Sequence, residues 1–337
     1  MILIDGSFGE GGGQILRVAV GLAALAKKPI EIINIRMKRD PPGLRPQHLT
    51  AVKAVASLVN ARVEGLEVGS TKIKFIPGDI SSGNFTFDVG TAGSVSLVLQ
   101  ALLPVLAFTK APINVTLKGG TAVPWSPPIT YIEKVLLPLL SRMGLKAEIR
   151  IIRHGFYPKG GGIVNITVYP VSQLKPIELI EQGNIKQIKG ISLSARLPSH
   201  IAERQARSAE KILREYLGNI NININIIHSG PEVDNVLSPG TFIVLLAETD
   251  KNVIIGSDAL GEKGKPAEKV GEEAALKLIN EIKSNATVDV HMSDQLIPWM
   301  ALANGTSKIK VSSFSLHAYT CIYITKQILG GEFNVQG

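Results

Sequence analysis

Asp5-Gly-Ser-Phe-Gly-Glu-Gly-Gly-Gly-Gln14 follows an apolar stretch, Met1 to Ile4, and runs into a helical pattern that opens at Gln14. Five of the eight residues from Gly6 to Gly13 are glycine. Each glycine loses more backbone entropy on folding than any other residue, so such a run needs a reason. One reason is a strand-to-helix turn whose free N–H groups face an anion at the positive end of a helix. The plainer reading is a tight turn with glycines for close packing. Glu10 lies inside the loop and Arg17 one turn into the helix. An anion cradle with its own acid suits a phosphate held together with a divalent ion. No Gly-Lys-Ser/Thr closes the loop and it does not spell Gly-x-Gly-x-x-Gly, so it is neither a P-loop nor a dinucleotide turn.

Outward from this loop the chain repeats itself. Strand Met1–Asp5 leads through the glycine turn to helix Gln14–Ala26, strand Ile30–Arg36, helix Gln47–Val59 and two strands at 61–68 and 72–77. A second copy runs from strand Asn84–Val89 through Gly90-Thr-Ala-Gly93 into helix Ser94–Phe108. It continues with strand Ile113–Lys118, helix Ile129–Met143 and strands Lys146–Arg153 and Gly162–Tyr169. Recurrence of one supersecondary unit is the mark of a repeat-built fold. A partial third copy reads as strand Thr287–His291, a turn at Met292-Ser-Asp-Gln295, helix Leu296–Ala303, and strands Ile309–Ser313 and His317–Tyr323, with Ala267–Lys283 as its opening helix. Between copies lies different material: strand Lys189–Leu197, helix Ala202–Leu217, an Ile/Asn alternation over Ile220–Ile227 and a hairpin of Thr241–Thr249 with Asn252–Ser257. The two-residue period marks a half-buried strand. The fold class is therefore α/β (α+β), with residues 1–182 and 280–337 as a large repeat-built domain and 183–279 as an inserted small α/β domain.

Composition narrows the class. The 337 residues are 45% hydrophobic but only 5% aromatic, which fits an aliphatic core and not a disordered chain. Val95–Phe108, the longest apolar run, is broken by Gln100 and Pro104 and is shorter than the ~20 residues of a membrane span. With no basic and apolar leader at its start, the chain is expected to be soluble and cytoplasmic, without membrane partners. One cysteine, Cys321, excludes an internal disulfide and a cysteine metal cluster. A net charge of +8 favours polyanionic partners. Arg36, Lys38, Arg39, Arg45 and His48 crowd the turn Asp40-Pro-Pro-Gly-Leu44, either as a solvated turn or as guanidinium forks for phosphate. Aromatic residues are too sparse for stacking along a long single strand, so a short contact at a nucleic-acid end fits better.

Five motifs, in order along the chain, carry a specific resemblance: Asp5–Arg17, Ile35–Leu49, Gly90-Thr-Ala-Gly-Ser94, Arg153-His-Gly-Phe-Tyr-Pro-Lys-Gly-Gly-Gly162 and Ser293-Asp-Gln-Leu296. Together they resemble RNA 3′-terminal phosphate cyclase. The resemblance implies three βαβαββ-type repeats similar to the units of EPSP synthase, with an inserted small α/β domain. It also implies an ATP-dependent reaction through a histidyl–AMP and an RNA-adenylate, ending in a 2′,3′-cyclic phosphate. Of six histidines, the family's His-x-x-Thr context falls on His317-Ala-Tyr-Thr320, so the resemblance gives His317 the nucleophile's role, with Glu10 and Arg17 beside it. ATP contacts carry over to Gln100, Pro127, His291, Asp294 and Gln295. Position 291 is His where the family often has Tyr, and imidazole too can stack on adenine. Glu10 becomes the ligand of a divalent metal, Mg²⁺ or Mn²⁺. Arg36, Arg39 and Gln47 line the phosphate or RNA-end site, Lys38 and Arg45 stay solvated, and His48 is a structural residue at a helix start. The expected partners are ATP and RNA 3′-phosphate ends. Other readings are an inactive cyclase-like ribosome-biogenesis protein, whose relatives lack the histidine, and a carboxyvinyl transferase sharing the repeat fold.

Overall fold

Period-two and period-3.6 patterns alternate over the first 76 residues and fold in the expected order. The strand expected over Ile30–Arg36, however, ends at Ile33, where Asn34 and Arg36 turn the chain at positive φ, and the one expected at 61–68 is only Arg62–Glu64. The computed structural model describes residues 1–337. Strand β1 (Ile2–Asp5) leads to α1 (Gly13–Ala26), β2 (Ile30–Ile33), α2 (Pro46–Leu58), β3 (Arg62–Glu64) and β4 (Ile73–Ile76). They form a sheet in the order β1-β2-β4-β3, with β1 parallel to β2 and the other pairs antiparallel. Ile4, Ile30 and Ile32 alternate onto one face and are fully buried there.

The next unit repeats that connectivity. It comprises β5 (Asn84–Asp88), α3 (Val95–Ala107), β6 (Ile113–Gly119), α4 (Ile129–Tyr131), α5 (Leu137–Arg142), β7 (Lys146–Arg153) and β8 (Gly162–Tyr169). A π-helical stretch, Ile132–Leu136, joins α4 to α5, so one continuous helical segment occupies the place that α2 takes in the first unit. The sheet order is β5-β6-β8-β7, again one parallel and two antiparallel pairs.

After the short β9 (Glu178–Leu179) comes a third sheet. Its elements are β10 (Ile185–Ala195), α6 (His200–Leu217), β11 (Asn221–Ile227), α7 (Pro231–Asp234), β12 (Gly240–Thr249), β13 (Ile254–Leu260) and α8 (Ala267–Lys283). The strand order is β11-β10-β12-β13. The Ile/Asn alternation is the outer strand β11, half-buried as its period requires. Helix α8 packs on α6 and on β12 and β13, so it belongs with this sheet and does not open a third repeat.

The third copy departs furthest from expectation. The chain there forms α9 (Val290–Gln295), α10 (Ile297–Leu302), β14 (Lys308–Ile309) and α11 (Leu316–Leu329). His317–Tyr323, expected as a strand, is helical, and the expected strand at 287–291 is reduced to an isolated parallel bridge between Val288 and Val311. Strand β14 pairs only with β9. Ser315 caps α11 by accepting from the Ala318 N–H, and Ala318, Cys321, Ile324 and Ile328 recur at helical spacing to face the core. The architecture is thus mixed α/β with several sheets, two of them βαβαββ units of the same strand order.

One continuous apolar core links these elements. Asp289, 1% exposed, stitches the last segment to the rest. Its carboxylate caps α9 by accepting from His291 N–H (3.0 Å) and Met292 N–H (3.1 Å), and it also accepts from Gly256 N–H on β13 (2.9 Å) and from the Tyr131 hydroxyl. No helix is long and apolar enough to cross a membrane.

Candidate active site

Helix α1 lies among α2, α3 and α11, and every residue from Gln14 to Ala24 is buried. Its polar side chains Gln14 and Arg17 must therefore find partners inside the protein, because an unpaired buried amide or guanidinium is costly. The partners come from the far end of the chain and from the second unit. Gln14 donates its amide Nε2 to the Asp294 carboxylate, and its Oε1 lies 2.9 Å from Nδ1 of His317. Arg17 donates Nε to Gln100 Oε1 at 2.9 Å. A crevice beside them is lined by Arg17, Gln100, Gln295 and Trp299.

The glycine loop closes over this group and onto α11. Phe8 stacks on Tyr323 with ring centroids 3.9 Å apart. Gly9 has φ +57°, and a Cβ there would lie 2.1 Å from Thr320 Oγ1. The next residue, Glu10, places Oε2 3.0 Å from His317 Nε2 and 3.2 Å from Arg39 Nη2. His317 and Thr320 are three residues apart on a helix and so share a face. The His-x-x-Thr spacing matches the Gly9-Glu10 pair: Thr320 takes the glycine and His317 takes the acid. At the loop's other end a Cβ on Gly13 would lie 2.1 Å from His48 Nε2. Close packing therefore dictates glycine at positions 9 and 13. Helix α1 has no side-chain N-cap and no acid in its first turn, which leaves its N–H groups free for an anion.

Burial sets the electrostatics. It lowers the Arg17 pKa to about 10 although nearby Asp294 favours the cation. It pushes the Asp294 carboxyl up to about 6, against the pull of His317, His291 and Arg17. His48, 4% exposed, is driven down to about 3 by burial first and then by Arg17, Arg36 and Arg45, so it is neutral and structural; its Nδ1 accepts from Arg45 N–H at 3.3 Å. His154 is held near 4 by burial alone. Cys321 is fully buried and its thiol pKa is raised, which removes it as a nucleophile. Among the histidines, His317 combines exposure, 48% for its side chain, with an acid partner on the glycine loop.

The structure therefore brings together Glu10, Arg17, Arg39, Gln100, Asp294, Gln295 and His317. It places the other candidate residues differently. Arg36, at φ +54°, donates Nη1 to Pro41 O and Gly43 O, both at 2.9 Å, and so fastens its own turn. Gln47 accepts from Ser94 N–H at 3.0 Å, tying α2 to the start of α3. Pro127 stands half-buried in the loop between β6 and α4. His291 is exposed, edge-on to Tyr131 with centroids 5.9 Å apart, and its Nε2 lies 3.8 Å from Asp258 Oδ1. Lys38, expected to be solvated, is exposed but also donates Nζ to Gly9 O at 2.9 Å, which ties it to the glycine loop. Gln14, to which no role was assigned, joins His317 to Asp294, and its one signal in the sequence is an amide opening a helix whose only other polar side chain is Arg17.

No three His, Cys, Asp or Glu side chains converge as a metal cage. The Glu10 carboxylate at the rim nonetheless fits a hard divalent ion that keeps several waters and shares substrate phosphate oxygens, since such ions need only one or two protein carboxylates.

Comparison with known proteins sets this geometry in context. A family model described as RNA 3′-terminal phosphate cyclase matches residues 8–335. A Hyperthermus butylicus protein named RNA 3′-terminal phosphate cyclase is 52% identical over 98% of this chain and 92% of its own length. Proteins of the same name from Ignicoccus hospitalis and Pyrococcus furiosus are 48% and 47% identical, over 98% and 100% of this chain and 93% and 96% of theirs.

Proposed function

The chain belongs to the RNA 3′-terminal phosphate cyclase family, and we propose that it converts an RNA 3′-phosphate into a 2′,3′-cyclic phosphodiester at the expense of ATP. The observation that carries the chemistry is the placement of His317, with Nδ1 on Gln14 and Nε2 on Glu10 at the mouth of the glycine loop.

In this reading Asp294 accepts from the Gln14 amide and thereby aims Gln14 Oε1 at His317. An acceptor at Nδ1 holds the proton on that nitrogen, which leaves the Nε2 lone pair for attack. Nε2 faces the Glu10 carboxylate, and any proton shared between them passes to solvent water as ATP enters, which frees the Nε2 lone pair. His317 Nε2 then attacks the α-phosphorus, the P–N bond forms, the bond to the bridging oxygen breaks and pyrophosphate departs. Arg17, Arg39, Lys38 and the free N–H groups of α1 neutralise the phosphates. An oxygen of the RNA 3′-phosphate next displaces the imidazole, giving a phosphoanhydride to AMP. The neighbouring 2′-hydroxyl attacks the activated phosphorus, loses its proton and expels AMP. A bound Mg²⁺ or Mn²⁺ at Glu10 contributes charge neutralisation at the phosphate oxygens. Gln100 and Gln295 line the nucleotide crevice, and Pro127 and His291 contact the base. Arg36 and Gln47 shape the RNA side by holding the basic turn and the start of α2. Residues 1–182 and 280–337 form the catalytic domain in this assignment, and 183–279 an inserted module.

Incubation with α-labelled ATP tests the reading. The wild-type chain retains label on protein, and His317→Asn, which keeps a polar side chain of similar size, does not. Label on the variant removes His317 as nucleophile. An unlabelled wild-type chain would instead match an inactive relative, a reading that the presence of His317, Glu10 and Arg17 disfavours.

A further inference from the structure

Of the two tryptophans, Trp299 is 3% exposed and Trp125 is 98% exposed. Trp125 is held at φ +62°, a backbone conformation that side chains rarely adopt, in a loop stiffened by Pro124, Pro127 and Pro128. The loop is closed by Ile129 N–H donating to Thr121 O (2.7 Å) and by Ser126 Oγ donating to Val123 O (3.2 Å). It is bonded to the hairpin of the Arg153–Gly162 motif, a stretch to which the proposed chemistry gives no task. Thr121 N–H donates to Gly155 O at 2.8 Å, and Gly155 N–H donates back to Thr121 Oγ1 at 3.0 Å. That hairpin presents a second exposed aromatic, Tyr157, 70% exposed, and beside it an exposed Lys159. Lys159 takes part in none of the ion pairs within the chain. The other side of the loop leads to the active site. Gly120 pairs with Ser94, Ser94 N–H bonds to Gln47, and the next residue, His48, abuts Gly13 of the glycine loop.

We propose that Trp125 and Tyr157 form a short stacking platform for bases of single-stranded RNA upstream of the reacting 3′ end, with Lys159 on the strand's phosphates. Unstacked bases pair naturally with exposed aromatic faces next to a cation, and the contact is tolerant of sequence. The platform's rigidity means that little motion is lost when a base settles on it. The RNA strand as occupant rests on the proposed function, which puts an RNA end in the adjoining site.

Tryptophan emission tests it directly, because the exposed and buried indoles differ in accessibility to acrylamide. A single-stranded RNA oligonucleotide with a 3′-phosphate, added without ATP, is expected to quench the accessible component, and ATP alone is not. Trp125→Ala should raise the KM for RNA roughly five- to a hundredfold, the effect of losing one stacked base. Self-labelling with α-labelled ATP should stay at the wild-type rate. Trp125→Phe should restore RNA KM to within a few fold, and Lys159→Ala should lower the salt slope of RNA binding by about 0.7. Unchanged RNA affinity in Trp125→Ala overturns the platform. So does quenching of the accessible component by ATP alone, which makes Trp125 a nucleotide contact, or an effect confined to molecular mass in light scattering, which makes it a self-association surface. Loss of self-labelling in the wild-type chain would sink the proposed function, while RNA quenching reports on the platform separately.

Discussion

Asp294→Asn separates the stability of the active site from its activity. The folded protein pushes the Asp294 carboxyl from an ordinary 3.8 up to about 6, chiefly by burial. A carboxyl whose folded pKa lies above its unfolded value binds its proton more tightly when folded. That stabilisation is complete below about pH 4 and is lost as pH rises through about 6. Two pKa units correspond to about 3 kcal/mol. Asn has the shape of the neutral acid and keeps an oxygen for the Gln14 amide, yet it never ionises. The variant's stability relative to wild type should therefore climb between pH 4 and pH 7 by up to about 3 kcal/mol, several degrees in melting temperature. Urea unfolding midpoints at pH 4, 5, 6 and 7.5 measure the difference, and carboxylates common to both proteins cancel from it. Self-labelling with ATP should fall in the same variant, since the charge beside Arg17 and the aim of Gln14 both change. A stability difference that is flat with pH, or that turns against Asn at high pH, would refute the argument. In that case Asp294 is an ionised counter-ion of Arg17 in the folded protein.

Acid should act through the buried imidazoles: His48 and His154 are held near 3 and 4, below the ordinary 6.5, so the stability they confer is present above 6.5 and lost as pH falls through those values. His48→Gln should remove roughly 3 kcal/mol of the loss between pH 6.5 and 4, read as a flatter pH dependence of the urea midpoint. Asp289→Ala strands the Tyr131 hydroxyl and three backbone N–H groups in the interior and should cost about 3–5 kcal/mol; a loss below about 1 kcal/mol would contradict its stitching role. Arg39→Ala should slow self-labelling with little change in melting temperature, because Arg39 is exposed and meets Glu10. Arg36→Ala should loosen the basic turn, seen as faster amide exchange at Gly43, and it should act on RNA turnover only through that loosening.

The strands and helices of three sheets were legible in the sequence because they carry their own periods, the first two units also announcing a glycine turn. The third copy of the repeat was not, and the reason is local. Tyr319-Thr-Cys-Ile-Tyr-Ile-Thr325 is rich in aromatic and β-branched residues, which favour strands when nothing else intervenes. Packing against α1 decides otherwise, and the apolar residues at 318, 321, 324 and 328 hold the helical spacing that packing selects. The partners of the site were beyond any local reading. Gln14 meets residues 280 and 303 positions away, and only the fold brings them together. Correcting the strand to a helix also changes what the His-x-x-Thr pattern means. On a strand, residues three apart point to opposite faces, so His317 and Thr320 could not both meet the glycine loop. On α11 they lie one turn apart, and the loop's consecutive residues Gly9 and Glu10 fit against them. The motif is thus a statement about helix geometry. A residue inserted between His317 and Thr320 would rotate one of them about 100° away and break either the loop's seat or the acid's contact.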